Sequence, residues 1–116
     1  MTTTLPGCAP ERISKGAVAY TVQMSPSVQS YLRTQTGLTR QGRLKLVSGI
    51  LGLLRDHGDT LRLDPTRRVT SGSTYFRFDY IFWDAGRVWR ADCVADDSAA
   101  NYGALQLVYV DCQTGS

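Results

Sequence analysis

Charged residues suited to binding phosphate recur in one part of this chain, in and just before the stretch Y-F-R-F-D-Y-I-F-W-D-A-G-R-V-W-R-A-D-C-V-A-D that begins at residue 75. Arg77 and Arg90 lie inside the stretch, and Arg67 and Arg68 precede it. A guanidinium presents a planar fork of N–H donors that matches the oxygen atoms of a phosphate. The sequence therefore offers a candidate phosphate-binding group. The alternative is a solvated surface of ion pairs, because runs of charge are usually solvated.

The same stretch predicts a β-hairpin that separates these charges from a core. Its first strand alternates aromatic residues, at Phe76, Phe78, Tyr80 and Phe82. This is the period of a half-buried strand. A two-residue loop at Ala85-Gly86 places Phe82 opposite Trp89 on the apolar face and Asp79 opposite Asp92 on the charged face. We expect this register because a shift by one residue would mix the two faces, although Ala-Gly is not the favoured pair for such a loop.

Composition predicts one cytoplasmic domain without metal or cofactor. The 116 residues are 42% hydrophobic with a net charge of +3, which permits a nucleic-acid partner without demanding one. Cys8, Cys93 and Cys112 are widely spaced and form no C-x-x-C motif, so we expect reduced thiols and no metal site. The sequence shows neither a signal-peptide pattern nor an apolar run of membrane-spanning length, so we expect no membrane association.

The remaining segments predict an α+β architecture. Residues 1–16 read as a loose leader and residues 17–113 as a single domain. A strand over residues 17–25 leads into a first helix that begins at Ser25-Pro26 and stops at Gly37. Thr39 caps a second helix that Gly58 ends. We expect an antiparallel meander of three strands, joined by the N-terminal strand and packed on a two-helix hairpin.

Apolar spacing predicts the core of this architecture. The second helix carries an apolar stripe, at Leu44, Val47, Ile50, Leu51 and Leu54. The residues expected to be buried in particular are Phe78, Tyr80, Phe82, Val47 and Leu51. A short strand is possible around Leu61–Leu63. In the last strand, residues 104–112, Tyr109 alternates with Leu105 and Leu107 and is therefore expected in the core.

Three segments resemble the bacterial RelE/ParE toxin superfamily. V-A-Y-T-V-Q-M-S-P-S-V-Q-S-Y-L is similar to the family's opening strand, Ser-Pro and first helix. Y-F-R-F-D-Y-I-F-W-D-A-G-R-V is similar to its central hairpin, and L-V-Y-V-D to its closing strand. The resemblance spans about residues 18–112. It implies a toxin-antitoxin component: RelE-like members cut messenger RNA on the ribosome, ParE-like members act on DNA gyrase, and both bind a small antitoxin.

The resemblance also implies roles for individual residues. Arg77 matches the family's strand arginine and would hold the scissile phosphate. Nucleic acid would further be bound by residues of the charged face and the preceding loop, namely Arg67, Arg68, Arg90 and Trp83, the last by stacking on a base. Asp111 is a candidate general base. Residues 111–116 contain no Arg, Lys, His or Tyr, unlike RNA-cutting relatives. The alternatives are therefore a gyrase-binding toxin without catalysis, or an inactive relative that serves only protein interaction.

Overall fold

The computed structural model describes residues 19–114, which form two helices and a four-stranded mixed sheet. The elements in chain order are β1 (Thr21–Met24), α1 (Pro26–Thr34), α2 (Arg40–Arg62), β2 (Tyr75–Asp84), β3 (Arg87–Asp96) and β4 (Ala104–Thr114). The sheet order is β1-β4-β3-β2, with β1 parallel to β4 and the other neighbours antiparallel. The predicted α+β class and element order are confirmed. The leader at residues 1–16 lies outside the described residues.

Both helices begin at the residues that the sequence predicts. The Ser25 hydroxyl accepts a hydrogen bond from the Val28 amide at 3.3 Å, and Pro26 is the first helical residue. The Thr39 hydroxyl accepts from the Gly42 amide at 3.0 Å. These bonds satisfy amide donors that have no partner inside the helix. Neither helix of residues 19–114 is long and apolar enough to cross a membrane.

The predicted end of α2 is wrong. The helix continues past Gly58 to Arg62, with a kink at His57, so the proposed strand at Leu61–Leu63 does not form. A Cβ at Gly58 would lie 2.7 Å from the Tyr20 ring, so this glycine permits close packing rather than stopping the helix. Leu61 is 8% exposed, and the additional helical turn buries it in the core.

The apolar stripe of α2 differs from the prediction in part. Ile50 and Leu54 are buried as expected, but Leu44 is 62% exposed, and Val47 and Leu51 are half-buried. The buried positions follow another line along the helix, namely Gly42, Leu46, Ile50, Leu54, Gly58 and Leu61. Two glycines account for this. A Cβ at Gly42 or Gly49 would lie within 2.5 Å of a β2 side chain, so α2 approaches the sheet with its glycine side inward.

The predicted hairpin register is confirmed at every pair. The pairs run from Tyr75↔Asp96 to Asp84↔Arg87 without a shift and include Phe82↔Trp89 and Asp79↔Asp92. Phe78 and Phe82 are buried as predicted, at 4% and 5% exposure. Tyr80 is only half-buried, because its ring lies against Gly49 at the side of α2. Ala85 and Gly86 have φ of 53° and 76°, the backbone conformation of a tight hairpin loop.

A β-bulge in the last strand overturns the prediction for Tyr109. Val94 pairs with Tyr109 and Ala95 pairs with Leu107, so Val108 is an extra residue in β4. An extra residue exchanges the two faces of a strand beyond that point. Val110 is therefore buried, and Tyr109, predicted to lie in the core, is 51% exposed.

Candidate functional site

The helices pack on one side of the sheet, and most charged side chains of the hairpin lie on the opposite side, which we call the open face. Its residues are Arg77, Asp79, Ile81 and Trp83 of β2, Arg90, Asp92 and Val94 of β3, and Tyr109, Asp111 and Gln113 of β4. Cross-strand pairing arranges these residues in rows. One row is Arg77, Val94 and Tyr109, and the next is Asp79, Asp92 and Asp111.

A shallow depression of about 920 Å³ occupies the end of the open face that is distant from the hairpin turn. Its polar lining comes from the loop before β2 and from all three strands of the meander, namely Asp64, Thr66, Arg67, Arg77, Asp79, Asp92 and Tyr109. Arg77 and Arg67, two of the four arginines that the sequence offers for phosphate binding, both line this depression. The 3₁₀ turn Pro65–Arg67 and the bridge between Arg68 and Phe76 hold the loop against β2.

The arginines of the open face differ in their partners. Arg67 Nε lies 3.3 Å from an Asp64 carboxylate oxygen, and Arg90 Nε lies 3.2 Å from Asp92. Within residues 19–114, Arg77 is exposed and has no carboxylate within ion-pair distance. The sequence left open that these charges form only a solvated surface of ion pairs. The carboxylate of Asp92 pairs with Arg90, which leaves the Arg77 guanidinium directed at solvent over the depression.

Arg68 lies in a structural network and does not line the depression. Its Nη2 donates to the Asp97 carboxylate at 2.6 Å, and its Nη1 donates to the Ser73 carbonyl at 3.2 Å. Its guanidinium carbon also lies 5.7 Å from the centre of the Phe76 ring. Asp97 is 9% exposed at its side chain and has Arg62 as a second partner, with Nε at 3.4 Å. These contacts hold the loop against the sheet. Arg68 therefore helps to position the neighbouring Arg67 without lining the depression itself.

The other predicted site residues lie on the open face but outside the depression. Trp83 is 61% exposed and stands beside the hairpin turn. Arg90 is two residue pairs closer to that turn than Asp92. Asp111 is opposite Asp92 on β4, where its carboxylate accepts a hydrogen bond from Gln113 at 3.0 Å. None of the three is in the lining described above.

Tyr109 is the residue of this site that the sequence argument misplaced. It lies opposite Val94, in the row of Arg77, and its half-exposed phenol lines the depression. The sequence does carry an indication of this. Leu107, Val108, Tyr109 and Val110 are four apolar or aromatic residues in succession, which breaks the alternation of a half-buried strand and is typical of a bulge.

The two described cysteines are unsuited to thiol chemistry. Cys93 and Cys112 form no disulfide. Burial raises the pKa of the Cys93 thiol far above its usual range, and burial raises that of Cys112 to about 11. Because the thiolate is the nucleophile, both groups are unreactive at neutral pH. Within residues 19–114, no three His, Cys, Asp or Glu side chains are placed to hold a metal ion.

Searches of protein-family models, curated proteins and solved structures returned no match to this chain. Two guanidiniums on one side of the depression can neutralise a phosphodiester, and the phenol and carboxylates around it can donate or accept a proton. The site is thus equipped for acid–base chemistry on an anionic substrate.

Proposed function

We propose that this protein is the toxin of a bacterial toxin-antitoxin pair, of the RelE/ParE type, and that it inhibits translation in the cytoplasm by cutting messenger RNA on the ribosome. The observation that supports this most is the convergence of Arg77, Arg67 and Tyr109 on one solvent-open depression. The order of elements, one strand, two helices and three strands, gives further support. A small antitoxin that covers this face is the expected partner.

The proposed reaction uses the RNA's own 2′-hydroxyl. Its oxygen attacks the neighbouring phosphorus, the bond from phosphorus to O5′ breaks, and the products are a 2′,3′-cyclic phosphate and a free 5′-hydroxyl. Arg77 and Arg67 neutralise the charge that develops on the phosphoryl oxygens. The Asp79 carboxylate accepts the proton of the 2′-hydroxyl, and the Tyr109 phenol donates a proton to the leaving oxygen. Exchange with water restores both groups, so no metal or cofactor is required.

The test compares three variants of similar exposure. Arg77→Ala and Tyr109→Phe remove the proposed phosphate ligand and the proposed acid, whereas Arg87→Ala removes an exposed arginine at the hairpin turn. The assay mixes purified protein with ribosomes translating a defined message and maps new 5′ ends. We expect the first two variants to cut about a hundredfold more slowly and Arg87→Ala to cut normally.

Stability measurements make this test specific. Exposed substitutions change the free energy of unfolding by about 0.5 kcal/mol or less, so all three variants should melt like the wild type. An equal loss of cutting in Arg87→Ala would contradict the proposed site. Early melting of Arg77→Ala would identify Arg77 as a structural residue instead. A wild-type protein that makes no cuts and does not slow growth would favour the reading as an inactive relative.

One observation favours a second candidate, a non-catalytic ParE-like toxin that binds DNA gyrase. Asp79, Asp92 and Asp111 form a row of carboxylates across three strands, next to the row of Arg77. Such a row repels a nucleic-acid backbone and attracts a basic protein surface. This candidate predicts growth arrest without new 5′ ends, and inhibition of DNA supercoiling that weakens in Asp92→Asn.

A further inference from the structure

Strand β2 lies at the edge of the sheet, and the middle of its outer edge is unpaired among the described residues. The strand is ten residues long, pairs with β3 throughout and contains no bulge. At one end of the outer edge, the Val69 amide donates to the Tyr75 carbonyl at 3.1 Å. At the other end, Lys45 Nζ donates to the Trp83 carbonyl at 3.1 Å. Unpaired edges of this length invite another strand.

These two bonds reveal which peptide groups point outward. Alternate residues of an edge strand direct their amide and carbonyl groups away from the sheet. Tyr75 and Trp83 both accept bonds from outside the hairpin. Asp79 and Ile81 lie an even number of residues from both Tyr75 and Trp83. Their amide and carbonyl groups therefore also point outward. Their side chains stand on the open face, where Ile81 is 62% exposed.

We propose that this edge pairs with the same edge of a second copy of the chain, in antiparallel register about a two-fold axis at Ile81. Each Ile81 then lies opposite the Ile81 of the other copy, and each Asp79 lies opposite the other copy's Trp83. The contact joins two four-stranded sheets into one continuous sheet, and the symmetry brings both open faces to the same side.

The local structure disfavours registers centred on Asp79 or closer to the start of β2. Centring the pair on Asp79 would place two carboxylates directly opposite each other, which is destabilising. Centring it on residues closer to the start of β2 would drive the second strand into the loop, where Arg68 bridges to Phe76. With the axis at Ile81, the second copy's β2 ends at its Asp84, opposite Phe78 and short of that bridge.

Electrostatic complementarity supports a second copy as the occupant. In this register the exposed Trp83 lies directly opposite Asp79 of the other copy. Arg77 of the other copy is its diagonal neighbour across the two strands. Arg77 has no carboxylate partner within residues 19–114, and a guanidinium beside an indole ring is a favourable contact. Each copy therefore contributes an aromatic side chain to the rim of the other copy's depression, at two symmetric places.

Cysteine crosslinking tests the axis directly. Opposed residues of a hydrogen-bonded antiparallel pair have Cα atoms about 5.5 Å apart, within the range of a disulfide. Ile81→Cys should form a covalent dimer rapidly with a mild oxidant. Leu44→Cys is the matched control, since Leu44 is also 62% exposed but lies on α2. In this register, residue 79 of one copy lies far from residue 79 of the other copy. Asp79→Cys should therefore crosslink as slowly as Leu44→Cys.

Sedimentation equilibrium on the full chain tests the association itself. Ile81→Lys opposes two like charges at the axis and should weaken dimerisation about tenfold. Lys45→Met should strengthen it, because the lysine competes for the Trp83 carbonyl. A wild-type protein that stays monomeric at the highest attainable concentration overturns the proposal, as does an Ile81→Cys variant that crosslinks no faster than Leu44→Cys. Neither measurement involves RNA cutting, so each tests dimerisation through β2 independently of the proposed function.

Discussion

Two glycines on the same helix provide a matched test of how α2 meets the sheet. Gly49 and Gly52 both lie inside α2, and alanine is favoured over glycine in a helix by about 0.8–1 kcal/mol. Their surroundings differ. A Cβ at Gly49 would lie 2.1 Å from Tyr80 Cζ, whereas the nearest atom to a Cβ at Gly52 is 3.7 Å away, on the flexible Arg55 side chain. The same substitution should therefore have opposite effects at the two positions.

The magnitudes follow from these distances. Gly52→Ala gains the helical preference and should raise the free energy of unfolding by about 0.8–1 kcal/mol. Gly49→Ala gains the same amount but must displace the Tyr80 ring, which stacks on Phe82 at 5.8 Å between centroids. Overpacking of this kind costs roughly 1–3 kcal/mol. We expect Gly49→Ala to be destabilised by about 1 kcal/mol, so the two variants differ by about 2 kcal/mol.

Urea unfolding and thermal melting measure this difference. One kcal/mol moves the Tm of a domain of about this size by roughly 4–8 °C, so the two variants should separate clearly. The Tyr80→Ala background is the control. There the obstruction is gone, and Gly49→Ala should stabilise that background as Gly52→Ala does. The packing argument is refuted if Gly49→Ala raises the Tm in the wild-type chain, or if it still lowers the Tm once Tyr80 has been removed.

Three further predictions concern the hairpin and the loop that precedes β2. Ala85→Asn should raise the free energy of unfolding by about 1 kcal/mol in urea titration, because Ala85 has a φ of 53° and asparagine tolerates that region better. Hydrogen bonds from the Thr39 hydroxyl and amide lower the pKa of Asp84. This stabilisation is present above about pH 3.9, the unfolded pKa, and disappears as the pH falls through the lower folded pKa, so Asp84→Asn should reduce the acid dependence of the Tm. Arg68→Ala removes a partner of the nearly buried Asp97 and should lower the free energy of unfolding by about 1–3 kcal/mol, whereas Arg67→Ala should change it by about 0.5 kcal/mol or less.

The hairpin could be derived from sequence because two independent patterns agree on it. Aromatic residues at every second position define the buried face, and a two-residue loop defines the register. The contacts of Asp84, by contrast, could not be predicted from the sequence. Asp84 directly precedes the two-residue loop, but its side chain is 5% exposed and accepts hydrogen bonds from Thr39 at the start of α2. Contacts between residues 45 positions apart depend on tertiary packing and leave no local pattern.

The errors in α2 have a common physical cause. Periodicity ranks faces by their apolar side chains, and by that measure Leu44, Val47 and Leu51 belong to the core. Glycine adds nothing to such a ranking. Yet Gly42 and Gly49 determine which side of the helix approaches β2, because only at those positions can its backbone accept Asp84 and Tyr80 so closely. Close approach at two glycines can thus determine which apolar residues of a helix are buried, here Leu46, Ile50 and Leu54 rather than Leu44.

The bulge at Val108 links the fold to the candidate site. If Val108 paired regularly with β3, β4 would keep its alternation, Tyr109 would point into the core, and Val110 would face solvent. The depression would then hold arginines and carboxylates but no phenol. Deleting Val108, by contrast, should remove the bulge but leave Tyr109 on the open face and Val110 in the core, because the pairs Ala95↔Leu107 and Val94↔Tyr109 then become consecutive. The packing of β4 and the chemistry of the open face consequently depend on the same bulge, which is why strand alternation alone misplaces Tyr109 and with it the phenol of the site.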